Sequence, residues 1–256
     1  MSIRQEMSAP TGLRLEAGSD RIDVWRISLD LPSSEIAGLR EILAPDEIKR
    51  ADRFYFPIHR SRFIVGRGTL RTILAAYLQT IPERLLFAYN EYDRPSLAGK
   101  YADALRFNLS HSGGEALLAV THYREVGVDI EEYDPKKGDE AVAENYFSPS
   151  EVACFRAVPA PLKPRAFLNC WTRKESYIKA QGMGLSIPLD SFDVTLTPGE
   201  PARLLRVAEP GEVQRWRLRE LDLGDAYVGA LTAEGQDWNF LLRRWPSEAG
   251  THDYAP

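Results

Sequence analysis

The chain has 256 residues, 44% of them hydrophobic and 27% charged, with a formal net charge of −5. That composition is ordinary for a soluble globular protein, and the length lets about three quarters of the unfolded surface be buried, enough for two small domains or one large one. The acidic balance argues against nonspecific binding to nucleic acid, no apolar run is long enough to span a membrane, and Met1 to Pro10 lacks the apolar stretch of a secretory signal; with only Cys154 and Cys170, at no metal-ligand spacing, these features favour the cytoplasm.

Residues 1–20 show no periodicity and are expected to be poorly ordered. Ile22 to Leu31 alternates as a strand does. Ser33 and Ser34 can cap a short helix to Leu43, and Pro45, followed by Asp46 and Glu47, opens another. Pro57 opens a long helix whose inward positions are Ile58, Val65, Leu70, Ile73, Leu74, Tyr77 and Leu78, with Arg62 and Arg67 elsewhere on the wheel. Lys49, Arg50, Arg53, Arg60, Arg62, Arg67 and Arg71, against the single acid Asp52, form a basic island. By itself the island reads equally well as a solvated face or an anion site. Leu86 to Tyr89 is a short strand, and Asn90 to Pro95 is a turn by composition. Leu105 to Leu109, Glu115 to Thr121 and Glu125 to Glu131 read as three consecutive strands. Ala141 to Tyr146 is a short helix, and Ser148-Pro149-Ser150-Glu151 has the spacing of a capping box. Arg165 to Gln181 reads as one helix with Gly182 as its stop. Phe192 to Leu196, Gln214 to Leu221, Tyr227 to Leu231 and Trp238 to Trp245 read as strands.

Three stretches carry chemistry. In Trp171-Thr172-Arg173-Lys174-Glu175-Ser176-Tyr177-Ile178-Lys179, Glu175 and Lys179 stand one turn apart on one helix face, which alone fits any solvated ion pair. In Gly127-Val128-Asp129-Ile130-Glu131, alternation puts Asp129 and Glu131 on one face of a strand and Val128 and Ile130 on the other. Two strand carboxylates and a helical third can hold a Mg²⁺ that also takes phosphate oxygens and water. Asn108-Leu109-Ser110-His111-Ser112 lies in a small, polar, turn-rich stretch suited to wrapping an anion.

In this order and spacing the three stretches resemble the 4′-phosphopantetheinyl transferase superfamily, and in particular its larger, Sfp-type members, whose single chain holds two similar halves. The likeness runs from about Ala44 to about Val194. It implies an α+β fold, a pseudo-dimer of two similar subdomains, each a mainly antiparallel sheet packed on a long helix. The expected division is residues 21–123 and 124–245, with a tail at 246–256. The implied reaction moves the 4′-phosphopantetheine arm of coenzyme A to a serine of an apo acyl, peptidyl or polyketide carrier protein and releases adenosine 3′,5′-bisphosphate.

The resemblance also implies roles. Asp129, Glu131 and Glu175 would hold Mg²⁺, and Glu175 would be the base. A carboxylate bound to metal is a weaker base, so a bound water between it and the hydroxyl is the other candidate. Lys179 would meet the pyrophosphate, with Lys174 a further contact. Arg50, Arg62 and His111 would surround the 3′-phosphate, with Ser110 donating to it. The family's Gly-Lys-Pro turn stands here as Asp93-Arg94-Pro95, so Arg94 takes the lysine's place near coenzyme A with a different geometry. The carrier partner is expected to be acidic, and a monomer is expected because two halves already make the site. A metal-dependent pyrophosphate hydrolase, or a non-catalytic module binding coenzyme A or a carrier, would use some of the same residues.

Overall fold

A computed structural model of the chain describes Leu13, Leu15, residues 20–136 and residues 140–246. The disorder expected of residues 1–20 and the tail at 246–256 therefore concern almost only residues outside that range. The first half runs β1 (Arg21–Ser28), α1 (Ser33–Glu41), α2 (Pro45–Ala51), α3 (Pro57–Tyr77), β2 (Phe87–Tyr89), β3 (Pro95–Leu97), β4 (Arg106–Ser112) and β5 (Glu115–Thr121). The second half repeats that order: β6 (Val126–Glu132), α4 (Glu140–Tyr146), α5 (Pro149–Ala157), α6 (Lys163–Gln181), β7 (Asp193–Val194), β8 (Leu204–Arg206), β9 (Trp216–Leu221) and β10 (Tyr227–Glu234). One added turn of helix, α7 (Glu212–Arg215), precedes β9.

The strands also take matching places. β5 lies between β1 and β4, and β10 lies between β6 and β9, with every one of these pairs antiparallel. The hairpins β2–β3 and β7–β8 form separate two-stranded sheets. The last strand, β11 (Asn239–Trp245), departs from the pattern. It runs parallel to β1, from Arg21 opposite Asn239 to Ile27 opposite Trp245. The expected division at 124–245 thus runs across a strand pairing, because 239–245 adds to the first sheet. Burial explains the move: Trp245 enters the first core, while Phe240 and Leu242 pack on the core between the halves.

Each half closes around the same device. Pro45 and Pro149 occupy first helical positions, which need no N–H donor. Two residues on, Glu47 and Glu151 turn back and accept the N–H of Ala44 and Ser148. Both glutamates are buried and meet a cation from the long helix: Glu47 pairs with Arg67 and Arg71 of α3, and Glu151 with Lys174 of α6. A buried charge is tolerated only when paired and hydrogen-bonded, so these pairs fix how the short helix sits on the long one. Arg67, placed off the inward face by its wheel position, is thus buried. Ile58, placed inward, is 47% exposed, because the first turn of α3 is exposed throughout.

α3 lays Val65, Leu70, Ile73 and Leu74 against Trp25, Ile27, Phe107 and Leu118 of the first sheet. α6 packs Phe167, Tyr177 and Ile178 with Phe155, Phe192, Trp216 and Val228. A third core joins the halves: Ile22, Val24, Leu117 and Ala119 of the first sheet meet Val128, Ile130 and Leu231 of the second. Among the described residues no helix is long and apolar enough to cross a membrane.

Candidate active site

Gly127 sets the distance between β6 and α6. A Cβ there would lie 2.1 Å from the Ser176 carbonyl oxygen and 2.3 Å from the Ala180 amide nitrogen. Only glycine lets the two backbones approach so closely. Two residues further along β6, Asp129 comes under the last turns of α6, and Lys179 Nζ donates to its Oδ1 at 2.5 Å. Gly182, at φ +71°, then ends the helix by donating its N–H to the Ile178 carbonyl.

The other wall of the cleft is β4, which lies alongside β6 and runs in the same sense. Residues of one β4 face reach across. Asn108 Oδ1 accepts the Val128 N–H at 2.9 Å. Ser110 Oγ donates to Asp129 Oδ1 at 2.8 Å and accepts from Lys179 Nζ at 2.9 Å. Ser112 Oγ donates to Glu131 Oε2 at 3.0 Å and accepts the Glu132 N–H at 3.1 Å. These side chains bridge the halves, as no backbone ladder joins β4 to β6.

Asp129, Glu131 and Glu175 meet here. Burial is the main cause that raises the Asp129 pKa, with the Lys179 ammonium and Ser110 opposing it. Burial also raises that of Glu175, and the Asp129 and Glu131 charges add to the rise while Lys179 opposes it. Asp129 Oδ2 is buried without a hydrogen-bond partner. An unsatisfied carboxylate oxygen among further carboxylates is the donor set a hard divalent cation takes. Among the described residues no three such side chains already stand as a finished cage, and the Lys179 ammonium lies on Asp129 instead.

On the opposite face of β4, His111 looks into a cavity of ≈ 650 Å³ walled by Arg50, Phe54, His59, Arg62, Phe63, Arg67 and Tyr89 among others. Burial, then Lys179 and Arg62, push the His111 pKa below its ordinary value against the pull of Glu131. His111 thus feels charges of both the cavity and the acidic cluster, so the two adjoin. Arg62 gives a bidentate pair to Asp30, 2.8 and 2.7 Å, at the cavity wall. The Arg50 guanidinium stands over the Phe63 ring.

Residues 125–232 match the family model described as the 4′-phosphopantetheinyl transferase superfamily. The 4′-phosphopantetheinyl transferase HetI of Nostoc sp. is 41% identical over 221 residues, covering 86% of this chain and 90% of the relative. This chain belongs to the 4′-phosphopantetheinyl transferase superfamily. The 4′-phosphopantetheinyl transferase Sfp of Bacillus subtilis is 31% identical over 68% of this chain and 76% of its own. A phosphopantetheinyl transferase of Thraustochytrium sp. is 33% identical over 73% and 69%. The chain is an enzyme of this transferase type.

Seen as a phosphopantetheinyl transferase, the chain brings together most of the residues its motifs nominate. Asp129, Glu131, Glu175 and Lys179 share the cleft, and Arg50, Arg62 and His111 share the cavity. Ser110 faces Asp129 rather than the cavity. Two residues lie elsewhere. Lys174 is fully buried, donates to the Leu189 and Phe192 carbonyls at 2.6 Å each, and pairs with Glu151 at 2.8 Å. It answers Glu151 as Arg67 and Arg71 answer Glu47 in the first half, and is held by its own core. Arg94 donates to the Ala180 and Val126 carbonyls and pairs with Glu125, clamping the β2–β3 turn onto the second half. His59, given no role by the sequence, lines the cavity; its place one turn before Arg62 was the available signal.

Proposed function

We propose that the protein transfers the 4′-phosphopantetheine arm of coenzyme A to a serine hydroxyl of apo carrier proteins, with Mg²⁺ held by Asp129, Glu131 and Glu175. The observation that carries the metal assignment is the partnerless, buried Asp129 Oδ2 beside two further carboxylates. When bound, the cation supplies positive charge against the pyrophosphate oxygens. The chain's own residues do the rest. Arg50, Arg62 and His111 hold the 3′-phosphate in the cavity, which sets the pyrophosphate beside the acidic cleft. Lys179, the cation that compensates Asp129 in this structure, turns to the pyrophosphate and offsets charge on the leaving phosphate. Glu175, half-buried and with a raised pKa, accepts the serine proton, directly or through one water. The serine oxygen forms its bond to phosphorus as the bond to the leaving adenosine 3′,5′-bisphosphate breaks.

Both walls of the cleft belong to one chain, which supports a monomer as the active form. Cys154 and Cys170 are free thiols, which fits a reducing, cytoplasmic setting. The test is the intact mass of an apo acyl or peptidyl carrier protein after incubation with this protein, coenzyme A and Mg²⁺. A gain of one phosphopantetheine arm, lost when a chelator is added, is the expected result. No gain across a panel of carriers, with coenzyme A still bound, would overturn the reading.

A further inference from the structure

No backbone ladder joins β6 to β4; side chains of β4 reach β6 instead, 20 residues on where they meet a backbone N–H and 19 where they meet a carboxylate. Asn108 meets Val128, Ser110 meets Asp129, and Ser112 meets both Glu131 and Glu132. A backbone ladder fixes register by many equivalent bonds; here three alternate side chains of one strand do so for the other. Ser112 differs from the other two in that its single hydroxyl joins two groups of β6 itself, whereas Ser110 joins β6 to α6 and Asn108 makes one bond. Ser112 accepts from the Glu132 N–H, which anchors it to the β6 backbone, and its proton is thereby directed to Glu131 Oε2. One side chain of the first half thus ties the backbone of the second half to a carboxylate on that same backbone.

We propose that Ser112 is a positioning residue for Glu131, and that it fixes this carboxylate in the orientation in which it meets a divalent cation. The proposal rests on the metal reading given above. Its physical basis is that a ligating carboxylate held by an outer hydrogen bond loses less freedom when the metal arrives, and such outer partners carry about 10- to 100-fold in metal affinity. The Ser112 hydroxyl bonds to Glu131 and Glu132 and not to Lys179, but its chain neighbours His111 and Gly113 line the cavity, so coenzyme A binding is measured separately from metal binding.

The experiment measures Mn²⁺ binding by the free-ion paramagnetic resonance signal, with no substrate present, for the full chain and for Ser112→Ala, Ser112→Thr and Glu131→Gln. Coenzyme A binding without metal is measured by calorimetry on the same samples. Ser112→Ala is expected to weaken Mn²⁺ about tenfold and to leave metal-free coenzyme A binding within about twofold, and Ser112→Thr, which keeps the hydroxyl, to restore most of the loss. If Ser112→Ala does not fold, Ser112→Cys, similar in size but a weak donor, takes its place in the comparison. Unchanged Mn²⁺ affinity in the hydroxyl-deleted variant, while Glu131→Gln weakens it, overturns the positioning role and leaves the metal reading standing. No weakening in Glu131→Gln removes Glu131 from the metal site, and the role of Ser112 falls with it. Equal loss of Mn²⁺ and coenzyme A binding overturns the proposal in favour of a general structural role.

Discussion

Gly127→Ala tests the close approach on which the cleft depends. The new Cβ would sit 2.1 Å from the Ser176 carbonyl oxygen, 2.3 Å from the Ala180 nitrogen and 2.9 Å from its Cα. All three are helix backbone atoms, so no rotamer change relieves the clash, and β6 and α6 must part by more than about 1 Å before the contact becomes ordinary. Overpacking of this kind costs about 1–3 kcal/mol, and a backbone clash belongs at the upper end, so Tm should fall by about 6–12 °C. Activity should fall further than stability explains, because the displacement separates Glu175 and Lys179 from Asp129, and a 1 Å misplacement costs about 100-fold. Gly38→Ala is the internal control. That site is an exposed position in α1 with nothing within 4 Å of the new methyl, and helix propensity predicts a gain of about 0.5–1 kcal/mol. Thermal melts followed by circular dichroism and single-turnover transfer at 20 °C read both effects. A Gly127→Ala protein that melts with the wild type and transfers at its rate would refute the packing argument.

Glu175→Gln should abolish transfer while coenzyme A still binds within severalfold; unchanged transfer would take Glu175 out of the chemistry. Asp129 and Glu175 have pKa values raised in the folded state, so above the unfolded values the native protein binds more protons. Metal-free stability should therefore fall as pH rises through the folded values, and Mg²⁺ should restore it at the upper end; a profile that rises with pH there would contradict the burial of these carboxylates. Arg62→Ala should weaken coenzyme A about tenfold more than dephospho-coenzyme A in calorimetry, and Asp30→Asn, which releases Arg62, should change affinity the opposite way. Lys174→Met leaves Glu151 without its buried cation and should cost about 3–5 kcal/mol in urea titrations, with little change in the KM for coenzyme A of the folded fraction.

The long helices and principal strands were legible because their burial is periodic, and the capping box at Ser148 is formed by the residues its spacing names. Adjacency in a motif was a poorer guide. Lys174 sits beside Glu175 in sequence but about 100° around the helix, which turns it into the core of its own half. Ser110 and His111 are neighbours on a strand, so alternation sends one to Asp129 and the other to the cavity; the same rule would have linked Ser110 to Asn108 and Ser112. Arg94 keeps the charge of the family's lysine, yet its guanidinium is taken up by carbonyls of α6 and β6 and by Glu125. The repeat of the two halves was also written in the chain, as a proline followed two residues later by a buried glutamate at Pro45 and again at Pro149. It was hidden because one cap is alanine and the other serine, and because the cations answering those glutamates are arginines in one half and lysine in the other. The parallel partnership of β11 with β1 had no local signal, since nothing in Asn239–Trp245 names a strand more than two hundred residues away.

That partnership has a consequence for how the protein is made. The first sheet contains a strand that leaves the ribosome after every other described strand, so the amino-terminal half must wait, with one edge of β1 unpaired, while the carboxy-terminal half is synthesised. Closure of a loop this long is slow, and an open strand edge is a template for pairing with other chains. Crowded nascent chains, rather than the finished enzyme, are where this fold is most exposed to aggregation.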